Sequence, residues 1–231
     1  MSGILFIISA PSGSGKSTLV NELRKFVPNL EFSVSYTTRP PRGSEQDGRE
    51  YHFIAREEFE RMIAADGFFE YAEVFGNYYG TAKSVLADAA RAGNDLLLDI
   101  DVQGERQVKL RMPDAVSIFV LPPSRAELES RLRKRSISEN VHPNEIRRRL
   151  DTARREIENY PNYDYILVND HLEQSVDRLV AIVLGERIRR SGKPPAPDQK
   201  HYLMNAEKCL KSRMEQEIRA ILDSFRFPPQ A

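Results

Sequence analysis

The residues Ala10-Pro11-Ser12-Gly13-Ser14-Gly15-Lys16-Ser17-Thr18 bring glycines, a lysine and several hydroxyls together in one short stretch. That set can hold a string of phosphates. Glycines let the backbone curl around anionic oxygens, and Lys16 reaches the β and γ phosphates as a compact cation. Ser17 offers a hydroxyl ligand to the Mg²⁺ that travels with a nucleoside triphosphate, and Thr18 helps to close the first helical turn. The pattern Gly-x-x-x-x-Gly-Lys-Ser has Ala10 at its first glycine, which is tolerable where φ stays negative. The plain alternative is a Gly/Ser turn that binds nothing, and the flanking elements count against it.

A second group lies downstream. Thr37-Thr38-Arg39-Pro40-Pro41-Arg42, followed by Glu45, Gly48, Tyr51 and Phe53, puts two arginines and a phenol in a segment shaped by Pro and Gly. It can converge on a second anion, because guanidinium forks bind phosphate oxygens in pairs. Taken alone, the arginines would read as a solvated turn. Arg131 and Arg135 stand four residues apart on one helical face. Residues 131–155 are crowded with arginine, and 136–142 lack helical periodicity. They read either as a solvated hairpin with a flexible tip or as a lid that closes over triphosphate.

The elements that must position these groups alternate. Apolar runs at 4–8, 96–100, 116–121 and 166–168 read as strands, and helical patterns follow at 19–26 and through Val176, Leu179, Val180 and Val183. That alternation marks a parallel sheet wrapped by helices. Ser124-Arg125-Ala126-Glu127 has the spacing of a capping box and opens a helix carrying Leu128 and Leu132. Between residues 34 and 90 the texture changes to short aromatic and β-branched strands, at 32–38, 51–54 and 68–75, around a helical segment at 57–65. This is read as a lobe inserted into an α/β core of residues 1–33 and 91–190.

Residues 191–197 form a Pro-rich linker, and beyond them Leu203, Ala206, Leu210, Met214, Ile218, Ile221, Leu222 and Phe225 recur at helical spacing. The spacing predicts an amphipathic helix that docks on its own core or pairs with a second subunit in a homo-oligomer.

Composition sets outer limits. Thirty-four basic residues balance thirty-four acidic ones in 231, so no general basic field drives nucleic-acid binding. The single cysteine, Cys209, rules out an intramolecular disulfide and reads as a packed thiol. No leader pattern opens the chain and no run is long enough to span a membrane, so the expected location is cytoplasmic.

Over residues 3–190 the chain resembles the guanylate kinases. The resemblance rests on the loop above; on Thr-Thr-Arg-x-x-Arg-x-x-Glu-x-x-Gly-x-x-Tyr-x-Phe; on Phe69-Glu70-Tyr71; on Gly76-Asn77-Tyr78-Tyr79-Gly80-Thr81; and on Leu98-Asp99-Ile100-Asp101-Val102-Gln103-Gly104. It implies an α/β P-loop NTPase fold, a parallel sheet flanked by helices, with a mixed α/β GMP-binding lobe at 34–90 and a helical lid at about 131–155. It also implies roles for single residues. Arg39, Arg42, Tyr51 and Tyr79 match the GMP phosphate ligands, with Glu45 orienting an arginine.

Guanine presents donors at N1 and N2 and an acceptor at O6. The family meets them with carboxylates matching Glu70 and Asp101 and with hydroxyls matching Ser35 and Thr81, a set that would leave adenine unpaired. Asp99, at a strand's C-terminal end, matches a residue that holds Mg²⁺ through water and bears on the substrate side; helix capping is its plain alternative. Arg131, Arg135 and Arg149 match arginines set against the ATP phosphates, and Asn169 matches a residue near adenine. The expected substrates are ATP, GMP and dGMP. A catalytically inactive interaction module, or an enzyme with another small acceptor, would be the competing readings.

Overall fold

The computed structural model describes residues 3–139 and 143–226, with the side chains from 135 to 143 outside the description. The elements in chain order begin with β1 (Leu5–Ser9), α1 (Lys16–Phe26), β2 (Leu30–Phe32), β3 (Tyr36–Thr37), β4 (His52–Phe53), α2 (Arg56–Ala64), β5 (Phe68–Val74) and β6 (Asn77–Ala82). There follow α3 (Lys83–Ala92), β7 (Asp95–Asp99), α4 (Val102–Arg111), β8 (Val116–Leu121), α5 (Arg125–Glu139) and α6 (Pro143–Ile157). The remainder comprises β9 (Tyr165–Val168), α7 (Leu172–Arg190), α8 (Lys200–Lys208), α9 (Lys211–Met214) and α10 (Arg219–Arg226). The chain divides into two compact units, one of residues up to 8 and 29–116, the other of residues 9–28 and from 117 onward. These divisions fall at other places than the lobe boundaries expected from texture.

In the first unit β7 lies between β2 and β1, parallel to both, with Leu5 opposite Leu96 and Ile7 opposite Leu98. Strands covered on both faces need continuous apolar runs, and β1 is buried at every position. Leu86 and Ala89 of α3 and Val108 of α4 complete that core. A second sheet, in the order β4-β3-β6-β5, is mixed: β3 runs parallel to β4 and antiparallel to β6, and β5–β6 is a hairpin. The hairpin turns at Phe75 and Gly76, whose φ values of 52° and 84° suit a two-residue turn twisted like its strands. Phe59 of α2 anchors this sheet by stacking on Phe68 and Tyr78, with ring centroids 4.3 and 5.2 Å away.

In the second unit β8 and β9 are parallel, Leu121 opposite Val168. α7 packs on β9, α1 and α8, and α5 packs on α6. Gly185 lets α7 and α8 approach closely, since a Cβ there would stand 3.1 Å from the Cβ of the buried Ala206. Among the described residues no helix is long and apolar enough to cross a membrane.

Several expectations change. The run at 32–38 is not one strand, because the chain leaves β7 after Ser33 and re-enters pairing in the other sheet as β3. β6 and α3 were not anticipated from texture. Residues 136–139 continue α5, so periodicity fails there without breaking the helix; the tip, 140–142, lies outside the described residues. The tail is not one amphipathic helix but α8, α9 and α10. It breaks where Cys209 and Lys211 pair with β9: the Ile166 N–H donates to the Cys209 carbonyl (2.8 Å) and the Lys211 N–H to that of Asp164 (3.0 Å). Cys209 is a packed thiol, with burial pushing its pKa up to about 11.

The α7–α8 contact yields a direct test. Gly185→Val would force the helices apart and lower stability by about 1–3 kcal/mol, read as a shifted midpoint in urea unfolding.

Candidate active site

The phosphate loop belongs to the second unit. Ala10 keeps a negative φ, since among the described residues the non-glycine positions with positive φ are Asn29, Asp66 and Phe75. Gly13 and Gly15 carry φ values of 93° and 87°, which only glycine adopts without strain. Gly15 is the N-cap of α1, so the first amides of that helix are left without helical acceptors at Lys16, Ser17 and Thr18. Ser17 and Thr18 are exposed there, while Pro11 and Ser14 are buried and Ser12 is half-buried.

The loop is held from behind. The Ser14 carbonyl accepts from Asn169 Nδ2 at 2.7 Å and from a guanidinium nitrogen of Arg131 at 3.3 Å. Arg131 donates further to the Asn169 carbonyl (3.0 Å) and, through Nε, to Glu127 (2.9 Å). Asn169 therefore lies against the loop, and a Cβ on Gly15 would stand 2.4 Å from its Nδ2. Arg149 is buried on α6 and donates through Nε to Glu145 at 3.3 Å. Arg135 sits one turn beyond Arg131 on α5, its side chain outside the described residues. Glu127 and Glu145 were not singled out as orienting partners, although each precedes its arginine by four residues, a spacing legible in sequence.

The second group, expected to meet an anion, lies in the first unit. Arg39 is buried and grips Glu45 with both terminal nitrogens (2.8 and 3.1 Å) while also donating to the Pro40 carbonyl. Burial opposes charge on both partners, but their mutual bond and charge, joined by Tyr79 beside Arg39 and by Arg42 beside Glu45, together outweigh it, raising the Arg39 pKa and lowering that of Glu45. The Arg39 guanidinium lies 5.3 Å from the Tyr51 ring centroid, and Tyr51 and Tyr79 meet edge to face at 5.8 Å. Burial, then the Asp99 carboxylate, push the Tyr51 phenol above its ordinary range, keeping it a neutral donor. Arg42 is exposed, its amide donating to Glu45 at 2.8 Å.

The hairpin sets the third group. Its register places Glu70 opposite Thr81, whose hydroxyl donates to Glu70 Oε1 at 2.6 Å, and both are buried. Gly104 makes room on α4, because a Cβ there would stand 2.4 Å from Glu70 Oε2. Asp101 is the N-cap of α4, accepting from the Gln103 and Gly104 amides at 3.0 and 2.9 Å. Capping thus falls to Asp101, while Asp99 ends β7 half-buried. Ser35 is buried just ahead of β3. Burial, aided by the Asp101 charge and opposed by the Thr81 bond, pushes Glu70 up to about 7.

Among the described residues no group of three or more His, Cys, Asp or Glu could hold a metal alone. The Ser17 hydroxyl in the second unit and the Asp99 carboxylate in the first are each hard oxygens, the donor type that Mg²⁺ takes.

A glycine loop at the head of α1, followed by parallel strands and arginine-bearing helices, defines an α/β phosphate-loop kinase. A family profile described as guanylate kinase matches residues 2–186. A curated guanylate kinase from Koribacter versatilis is 60% identical over 226 residues, covering 98% of this chain and 97% of that protein. One from Desulfitobacterium hafniense is 49% identical over 193 residues, covering 83% of this chain and 94% of that protein. The crystal structure of guanylate kinase from Anaplasma phagocytophilum superposes with a TM-score of 0.68 at 37% identity, covering 80% of this chain and 87% of that one. The chain belongs to the guanylate kinase family. With Lys16, Ser17, Arg131 and Arg149 all present, the inactive-module alternative is not favoured.

Glu70 supplies a pH test. With its pKa raised, the folded chain holds a proton that the unfolded chain releases, so its stabilising effect is complete below about pH 4.5 and lost as pH rises through about 7. Nucleotide-free protein should lose on the order of 3 kcal/mol between those limits from this group, and Glu70→Gln should remove that part of the slope in urea titrations at stepped pH.

Proposed function

We propose that the chain transfers the γ-phosphoryl group of ATP to GMP, and also to dGMP, giving ADP and GDP. The observation that supports this most is the buried pairing of Glu70 with Thr81 beside Asp101, in the same unit as Arg39, Tyr51 and Tyr79. A purine with donors on one edge and an acceptor on the next fits the carboxylate and hydroxyl set, with Ser35 donating to O6 and Thr81 joining it when the arriving N–H donors replace its hydroxyl on Glu70. The two phenols and Arg39, joined by Arg42, suit a dianionic phosphate. Adenine would leave buried polar groups unmatched, which a hydrogen-bonding site penalises strongly.

On the donor side, residues 10–18 cradle the triphosphate, Asn169 supports the loop beside the nucleotide, and Lys16, Arg131, Arg135 and Arg149 bear the phosphate charge. Mg²⁺, held through Ser17 and, by way of water, Asp99, would neutralise the β and γ phosphates. A GMP phosphate oxygen attacks the γ phosphorus, and the bond to the bridging oxygen breaks to leave ADP. That oxygen is already a nucleophile, so no general base is required. Alignment and charge neutralisation carry the rate. The proposed partners are these nucleotides, and the proposed site of action is the cytoplasm.

An assay of ADP release with ATP and Mg²⁺ tests the proposal against GMP, AMP, UMP and CMP. Turnover is expected with GMP, and its absence would overturn the proposal; equal turnover with AMP would overturn the assignment of the base pocket. Arg39→Ala should raise KM for GMP about tenfold to a hundredfold through loss of charge-assisted bonds, and Lys16→Ala should abolish measurable turnover.

A further inference from the structure

The tail from residue 197 lies beyond the family match, which ends at 186, yet it is built into the second unit. It first runs along α7 as α8, then pairs with the edge of β9 through Cys209 and Lys211. Finally α10 packs on both arginine-bearing helices, α5 and α6. Ile218, Ile221, Leu222 and Phe225 are buried there.

The contact includes one directional bond. The Arg125 amide, at the open start of α5, donates to the Ser224 hydroxyl at 3.1 Å, and that hydroxyl donates in turn to the Ile221 carbonyl. Ser124 serves the Glu127 amide at 3.1 Å, so two of the helix's unpartnered first amides are satisfied, one by its own chain start and one by the tail.

From α5 the connection to the phosphate loop is continuous. A Cβ on Gly13 would stand 2.9 Å from Leu132 and 3.1 Å from Leu128, and Arg131 grips the Ser14 carbonyl. We propose that the tail is a strap that positions the α5–α6 arginines and the phosphate loop for ATP, with Ser224 as its positioning residue through Arg125 and Arg131. The proposal rests on the assignment of those arginines to ATP. Holding the hairpin in place before the nucleotide arrives removes an ordering step that binding would otherwise oppose.

Steady-state kinetics on the full chain separates this role from a merely structural one. Ser224→Ala should lower kcat/KM for ATP about fivefold, with KM for GMP unchanged, and Ser224→Thr should restore it to within about twofold of the parent. In an Arg131→Ala background, Ser224→Ala should add no further loss, as for residues acting along one path. An equal additional loss there, a change confined to KM for GMP, or no change in ATP kinetics would overturn the strap.

Hydrogen exchange of nucleotide-free protein reads the same contact without catalysis. Amides of the first turn of α5 should exchange faster in Ser224→Ala, whatever the acceptor, and unchanged protection there would also overturn the proposal. Absence of GMP turnover in the parent would instead count against the proposed function alone.

Discussion

A loop that aims its amides at an anion must turn carbonyl oxygens the other way, and those oxygens cannot stay buried without donors. Here the carbonyl is that of Ser14, and its donors are Asn169 and Arg131. Much of the second unit follows from that pairing. Asn169 directly follows β9, so the strand must come to rest behind the loop, and its own amide is fixed on the Leu121 carbonyl of β8 at 2.8 Å. Arg131 ties α5 to the same point, with Glu127 holding the guanidinium by its Nε. Gly13 and Gly15 are glycines for two reasons at once: the left-handed backbone, and the side chains of Leu132 and Asn169 packed where a Cβ would be.

The first unit solves a different problem, that of keeping charged groups under cover. Arg39 is paired bidentately with Glu45, so its charge survives burial. Glu70 has a hydroxyl for a partner rather than a cation, and burial pushes its pKa up to about 7, so it holds a proton far more readily than an exposed glutamate. The contrast suits their proposed ligands. A permanent cation is wanted for a phosphate dianion, whereas a carboxylate that must meet two N–H donors gains most from charge once those donors have arrived.

Much of the fold was legible because its signals are local. Continuous apolar runs gave β1, β7 and β8, and the glycine loop marked the passage from β1 to the start of α1. β6 was not legible from texture, since its hairpin turns on Phe75, a residue that rarely takes positive φ, in place of the usual Asn-Gly. The tail's periodicity was read correctly as amphipathic but not as broken, because α8, α9 and α10, which carry the buried Ala206, Met214 and Leu222, pack on different elements, α7, β9 and α5 with α6. Glu127 and Glu145 could have been found from spacing. Ser224 could not, because its partner lies 99 residues away.

The position of Asp101 shows why a structural role and a ligand role need not compete. An ionised carboxylate has about four acceptor sites. Asp101 gives Oδ1 to two α4 amides and Oδ2 to the Gln103 side chain at 3.0 Å. Three donors fix the orientation of the group and leave one acceptor direction over, so the cap itself aims the remaining lone pair. The same cap brings Gly104 beneath Glu70, where the missing Cβ admits the second carboxylate. One helix start therefore sets the spacing of the two acidic groups. A substitution that spared the Asp101 charge but loosened the cap would, on the proposed assignment, blur recognition of the base without removing any of its proposed partners.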